Sequence, residues 1–303
     1  MKRIARFFLI LGSICVLALV LPARGETDAI SVTVVTTFDF PGAGNSTFTY
    51  GINKRGDIAG YYVDPSAVTR GYIRLANGTF VGPIVDPGDT GGFTRALAIN
   101  SSRVVGGDYL TISDNAFHGF FLTGRTYTSY DFPGTAASDI FAINDAGNFG
   151  GFGVDIASGT DLAYVNIGGV VTMFTIPGAT LATTHGMNSS DQAVGVYSTD
   201  GSVTFHGFLR NADGTITSPI DFPGAQSTTL QGINTAGIIV GRYNNADGVI
   251  HGFVAKLPRT FISFDYPDAT QTSLNDINDR NLISARYTDG AGVAHGFIAQ
   301  LAR

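Results

Sequence analysis

The sequence predicts an all-β protein, a six-bladed β-propeller with four antiparallel strands per blade whose last blade is closed by the N-terminal strand. Three observations carry this. The composition turns away from helix: of 24 acidic residues only Glu26 is Glu, Lys occurs three times in 303 residues, and there are 40 Gly. Glu and Lys favour helices, whereas Gly, Asp and Asn favour turns. Two independent motifs then share one period. Aromatic or aliphatic residue, Asp, any residue, Pro, Gly places prolines at 41, 87, 133, 177, 223 and 267, spaced 46, 46, 44, 46 and 44. An apolar-Asn pair ends at Asn53, Asn100, Asn144, Asn188, Asn234 and Asn278, spaced 47, 44, 44, 46 and 44. A unit of about 45 residues is the size of a four-stranded propeller blade. The chain ends are also complementary. Val32 to Gly42 is a fourth strand with nothing before it, and His295-Gly296-Phe297 opens a third strand with no fourth after it. A ring uses one end to complete the other, whereas an open solenoid has no reason for the split.

Each element follows from its residues. Strand one closes on the apolar-Asn pair. Asn at the first position of a type I turn, with a residue tolerant of positive φ three places on, links strands one and two; Gly56, Gly147, Asp191, Gly237 and Asn281 fill that place. Repeat two has Ser101-Ser102-Arg103 there, which predicts a different turn. Strand two is Asp57 to Val63 or Ile238 to Tyr243, strand three begins at His-Gly-Phe as in His251-Gly252-Phe253, and strand four runs into Asp-x-Pro-Gly. The body is one domain, residues 30–303. With 44% hydrophobic and only 14% charged residues it has ample apolar surface to bury, so disorder is excluded.

The His-Gly-Phe, Gly-Ile-Asn and Asp-x-Pro-Gly pattern, phased six times, resembles the bacterial extracellular repeats of the HAF family. That resemblance implies a secreted repeat protein of propeller form and supplies no catalytic residue.

Residues 1–25 read as a secretory signal peptide: Lys2, Arg3 and Arg6, then the apolar run Phe7 to Leu21, then Pro22-Ala23-Arg24-Gly25. The expected location is secreted or periplasmic. Cleavage would remove Lys2, Arg3, Arg6 and Arg24 from 18 basic residues set against 24 acidic ones, taking the formal net charge from −6 to −10. An acidic surface is a poor partner for phosphate backbones or anionic lipid, so nucleic acid and membrane are not expected partners. Cys15 would go too, leaving a body without disulfides and expected to be a monomer.

Repeated residues are expected to be structural. His118, His206, His251 and His295 start strand three of different blades, too far apart for one metal or one triad, and are expected to bond local backbone. The Asp of Asp-x-Pro-Gly is expected to accept backbone N–H groups where the chain crosses between blades. No metal and no cofactor is expected, and no P-loop, His-Glu-x-x-His or Gly-x-Ser-x-Gly occurs. Function is expected where the repeat breaks. Three residues before each Asn stand Tyr50, Leu97, Phe141, His185, Gln231 and Asn275, and two further back Phe48, Arg95, Asp139, Thr183, Thr229 and Ser273. Arg95, Asp139, His185, Gln231 and Asn275 are the candidate ligand-binding residues, at the channel mouth on the face of the strand four to strand one loops. They suit a non-enzymatic module that binds a protein or glycan; the alternative is a hydrolase or lyase around His185, Arg95 and Asp139, with no catalytic residue assigned.

Overall fold

The computed structural model describes residues 30–258 and 260–302; the predicted signal peptide lies outside them. The described residues form six four-stranded antiparallel sheets. Blades one to six begin with inner strands Ser46–Ile52, Thr94–Ile99, Thr135–Ile143, Leu181–Met187, Ser227–Ile233 and Gln271–Ile277. In five blades the strands follow one another outward in chain order. In the sixth, Gln271–Ile277, Leu282–Thr288 and Ala294–Ala302 are completed by Ser31–Phe38, which pairs antiparallel with Ala294–Ala302. The chain ends close the ring as their complementarity predicted.

Six apolar clusters hold the blades, one at each blade-to-blade seam. The seam of blades five and six gathers Val240 and Val254 against Leu274, Ile283 and Phe297. The Phe of each His-Gly-Phe, namely Phe120, Phe208, Phe253 and Phe297, is fully buried. The Gly before it makes room for the next blade: a Cβ on Gly207 would stand 2.6 Å from Leu230 Cγ.

The repeated Asn does more than start a turn. Its Oδ1 accepts N–H groups from the turn, as Asn188 does from Ser190 at 2.9 Å and Gln192 at 3.0 Å. Its Nδ2 donates to the main-chain carbonyl of the equivalent Asn in the next blade. The chain of bonds runs Asn53 to Asn100 (3.1 Å), Asn100 to Asn144 (3.3 Å), Asn144 to Asn188 (3.1 Å), Asn188 to Asn234 (3.1 Å), Asn234 to Asn278 (3.3 Å) and Asn278 back to Asn53 (2.9 Å). All six side chains lie on buried residues, so each bond also satisfies a polar group that burial would otherwise penalise.

Repeat two corrects one expectation. Arg103 adopts φ +61° and its N–H reaches the Asn100 carbonyl at 2.8 Å, the same turn that Gly56 makes in blade one with a 3.0 Å bond to Asn53. Positive φ is costly for a residue with a Cβ. Arg103 Nε donates to Asp57 Oδ2 of blade one at 2.8 Å, a compensating contact that glycine could not make.

A second correction concerns His and Asp. The His ring does not bond local backbone; its Nδ1 meets the Asp of Asp-x-Pro-Gly in the same blade. The pairs are His118 with Asp131 (2.9 Å), His206 with Asp221 (2.8 Å), His251 with Asp265 (3.0 Å) and His295 with Asp39 (3.0 Å). Two of the repeats lack both partners: Leu162 and Thr175 stand there in blade three, Arg70 and Val85 in blade one. The residue after the Asp points forward, and its N–H meets a hydroxyl of the next inner strand, as Phe222 does with Thr228 Oγ1 at 2.9 Å. Its ring stacks on the next blade's second strand, Phe222 on Tyr243 at 3.8 Å and Tyr266 on Tyr287 at 3.8 Å. Asp-x-Pro-Gly therefore fastens the blade behind to the blade ahead.

Asn188→Ala is expected to lower the unfolding free energy by roughly 2–4 kcal/mol, because it orphans two turn N–H groups and a neighbouring carbonyl; a loss under about 1 kcal/mol in urea titration would contradict the ring's role. Burial pulls the His295 ring down, but Asp39 and Asp289 outweigh it and hold its pKa above the ordinary value, so this latch weakens as pH rises through that raised value. His295→Phe is expected to cost about 1 kcal/mol and to speed amide exchange along residues 32–37, whereas His251→Phe costs as much without loosening that strand.

Candidate functional site at the central channel

Every inner strand carries a β-bulge at the equivalent place, and Thr135–Ile143 has a second shift between Thr135 and Ala137. Pairing with strand two shifts between Thr49 and Ile52, Ala96 and Ala98, Ile140 and Ala142, Thr184 and Gly186, Leu230 and Gly232, and Leu274 and Asp276. The skipped residues are Leu97, Phe141, His185, Gln231 and Asn275, with Tyr50 and Gly51 in blade one. A bulge re-aims the side chain of its extra residue. Here it sends side chains toward the axis: the Tyr50 and Phe141 rings, two blades apart, come within 6.3 Å, and Phe141 lies 5.1 Å from the His185 ring.

One layer toward the strand four to strand one face, inner-strand residues stand in register with strand two. The pairs are Phe48 with Tyr61, Arg95 with Asp108, Asp139 with Phe152, Thr183 with Val196, Thr229 with Arg242, and Ser273 with Arg286. Arg95 forks onto Asp108 with both Nε (2.9 Å) and Nη2, and its Nη2 also meets Asp139 Oδ2 at 2.9 Å. Burial works against the Arg95 charge, but Asp108 and Asp139 outweigh it and hold the guanidinium above its usual pKa. Burial, and then the charge of Asp108, push Asp139 well above the carboxylate range despite Arg95.

The five candidate residues thus divide. Arg95 and Asp139 come together as one ion-paired unit with Asp108. His185 stands apart: Thr183 Oγ1 shares a hydrogen bond with its Nε2 at 2.9 Å, and no carboxylate lies at ion-pair distance. Burial pushes the His185 pKa down to about 3, and the charge of Arg242 acts in the same direction. Asn275 is a strut between blades, its Nδ2 donating to the Thr49 carbonyl at 2.6 Å while its Oδ1 accepts from Ser273 at 2.7 Å. Gln231 is buried. The strand-two members Tyr61, Asp108, Arg242 and Arg286 were missed, because attention to the inner strand overlooked the equally variable residue in register with it.

A larger depression opens on the opposite face, among the Asn turns. It is an open depression with a cavity volume of about 70 Å³, lined by Asn53, Asn144, Asn188, Asn234 and Asn278 together with Phe141, His185 and Asp276. Asp276 stands where other blades have Gly51, Ala98, Ala142, Gly186 and Gly232. Its Oδ2 accepts the Ile52 N–H at 3.0 Å and its Oδ1 the Ile277 N–H at 2.8 Å, yet burial raises its pKa to about 7. Among the described residues no group of three or more His, Cys, Asp or Glu side chains is placed to hold a metal, and no helix is long and apolar enough to cross a membrane.

The whole defines a six-bladed β-propeller with its repeat-breaking residues gathered on the axis. No protein-family model matches the chain, and no curated protein matches it. Solved structures do. TolB of Acinetobacter baumannii superposes with a TM-score of 0.54 at 10% identity, over 81% of this chain and 66% of that one. AofleA of Arthrobotrys oligospora gives 0.53 at 12%, over 90% and 86%. The Aleuria aurantia lectin, solved with Fucalpha1-6GlcNAc, gives 0.52 at 11%, over 86% and 95%. At such identities the likeness shows the fold alone.

Asp276 supplies a pH test. Its native pKa lies above the unfolded value near 4, so the stability it contributes is complete below about pH 4 and is lost as pH rises through about 7. Asp276→Asn removes this titrating group, so its unfolding free energy is expected to fall less between pH 4 and pH 8 than the parent's, by on the order of 3 kcal/mol or less. Equal pH slopes for the two proteins in urea titrations would contradict this.

Proposed function

We propose that this chain is an exported, non-enzymatic binding module, secreted or periplasmic, that takes a glycan or protein ligand through the channel mouth of one face. The observation that carries this reading is the placement of variation. Residues shared by the blades build seams, turns and latches, while residues that differ gather on the axis, which is how a rigid ring presents a specific surface. The resemblance of the repeat to the HAF pattern supports export, as does the basic-then-apolar N-terminal segment. The lectin among the structural neighbours makes a glycan a natural ligand class for such a ring.

The hydrolase or lyase alternative centres on His185, Arg95 and Asp139. General acid–base chemistry works best with a group titrating near the operating pH. His185, driven down to about 3, is neutral throughout the physiological range, and no carboxylate orients it. Arg95 is tied to Asp108 and Asp139 and not to a free site.

The chain lacking its first 25 residues, screened on glycan and protein arrays, is expected to show saturable binding to a ligand that mass spectrometry recovers unchanged. Consumption of the ligand at a rate that falls in His185→Ala or Asp139→Asn would favour the enzyme instead, and silence on both arrays would overturn the binding reading.

A further inference from the structure

Arg95, Arg242 and Arg286 occupy one layer of the channel but not one electrostatic situation. Arg95 has two carboxylates. Arg242 and Arg286 have none: neither guanidinium meets a carboxylate or any other hydrogen-bond acceptor among the described residues. They stand at equivalent register positions of adjacent blades, opposite Thr229 and Ser273, and both are half-buried. Arg286 Cζ rests 5.2 Å above the Phe48 ring, an aromatic contact that offsets little of the lost hydration. Burial first, and the charge of Arg286 second, lower the Arg242 pKa. Two like charges held together in a semi-enclosed site are destabilising, and each keeps five N–H donors with nothing in the protein to receive them.

The surroundings specify the remainder of a ligand. Phe48, Tyr61 and Tyr50 stack in series along one side of the channel, with ring separations of 4.7 Å and 5.7 Å, and Tyr50 ends the stack. The same layer carries the hydroxyls of Tyr61 and Thr229, with that of Tyr50 in the adjoining layer. Guanidinium forks recognise a planar carboxylate, aromatic faces take the apolar face of a sugar ring, and hydroxyls pair with hydroxyls.

We infer that Arg242 and Arg286 form a carboxylate clamp at the channel mouth, and that the ligand is an acidic saccharide whose uronic carboxylate lies between the two guanidinium groups beside the Tyr50–Tyr61 stack. This inference rests on the binding reading above and narrows its ligand class. The clamp accounts for the unpaired cations as a prepared anion site whose cost the ligand removes on binding. Phosphate and sulfate share the negative charge but lack the sugar ring and its hydroxyls, so they serve as discriminating probes.

The test is titration calorimetry of the purified chain with an oligogalacturonate, a neutral oligogalactan of equal length, inorganic phosphate, and an acidic peptide. The oligogalacturonate is expected to bind, with the neutral sugar, phosphate and peptide at least about tenfold weaker, and Arg242→Gln and Arg286→Gln each to lose about tenfold or more, while the exposed Arg125→Gln is unchanged. Thermal unfolding keeps the test independent of folding defects. Arg242→Gln is expected to melt at or above the parent temperature, since it relieves repulsion, and oligogalacturonate should raise the melting temperature of the parent but not of the variant. Equal affinity for acidic and neutral saccharides, undiminished in both variants, would overturn the clamp and leave glycan binding intact. Binding of phosphate or the peptide as tightly as the uronate would overturn the saccharide assignment, and no binding by any probe would overturn the clamp, whatever ligand the arrays return.

Discussion

The structure depends on a ring of six asparagines. Each blade could pair its four strands alone, but a radial stack of sheets has no covalent reason to close. The Nδ2 to carbonyl bonds from Asn53 around to Asn278 and back supply that closure at the axis, where blades are nearest. Each Asn joins two jobs that no other side chain of its size combines: its oxygen shapes the turn behind it, and its nitrogen measures the distance to the next blade. Six such bonds in series, buried and mutually aligned, fix the angle between sheets, and the apolar seams then fill at that angle.

Away from the axis, the closure is repeated in a second form. Asp-x-Pro-Gly is held from behind by His through the Asp and from ahead by the stacked aromatic, so the crossing segment sets the spacing at mid-radius as the asparagines do at the centre. The N-terminal strand uses the same device. Asp39 latches to His295, and Phe40 stacks on Tyr62 of blade one at 4.0 Å, so the closing strand is fastened by the rule that fastens every internal crossing. With spacing carried by repeated residues, the bulge positions and the register pairs beside them are released from it. This is why Arg95, Arg242 and Arg286 can stand in a layer that holds Phe, Thr and Ser elsewhere.

Most of the architecture was legible in the sequence because it is written six times. The period, the strand order, the Asn turn and the split last blade all follow from spacing and from residues with strong turn preferences. The His–Asp latch was legible as well: the two residues are present together in four blades and lacking together in blades one and three, a correlation visible without coordinates. The Asn ring was not, since nothing local tells where a free amide nitrogen points. Arg103 was misread because its strain is relieved by Asp57, 46 positions away. For the site, counting back from Asn found Arg95, Asp139 and His185, yet a bulge shifts register by one, so the pattern could not say that Arg95 and Asp139 would meet while His185 turned aside.

The account makes ring closure one cooperative constraint and not six local ones. The direct measurement is a double-mutant cycle between Asn100 and Asn234, in blades two and five, whose side chains share no partner. Distant independent substitutions add to within about 0.5 kcal/mol. If one break already opens the ring, Asn234→Ala should cost at least about 1 kcal/mol less in the Asn100→Ala background than in the parent. Strict additivity of the two losses would contradict the closed ring as the constraint on which the fold rests.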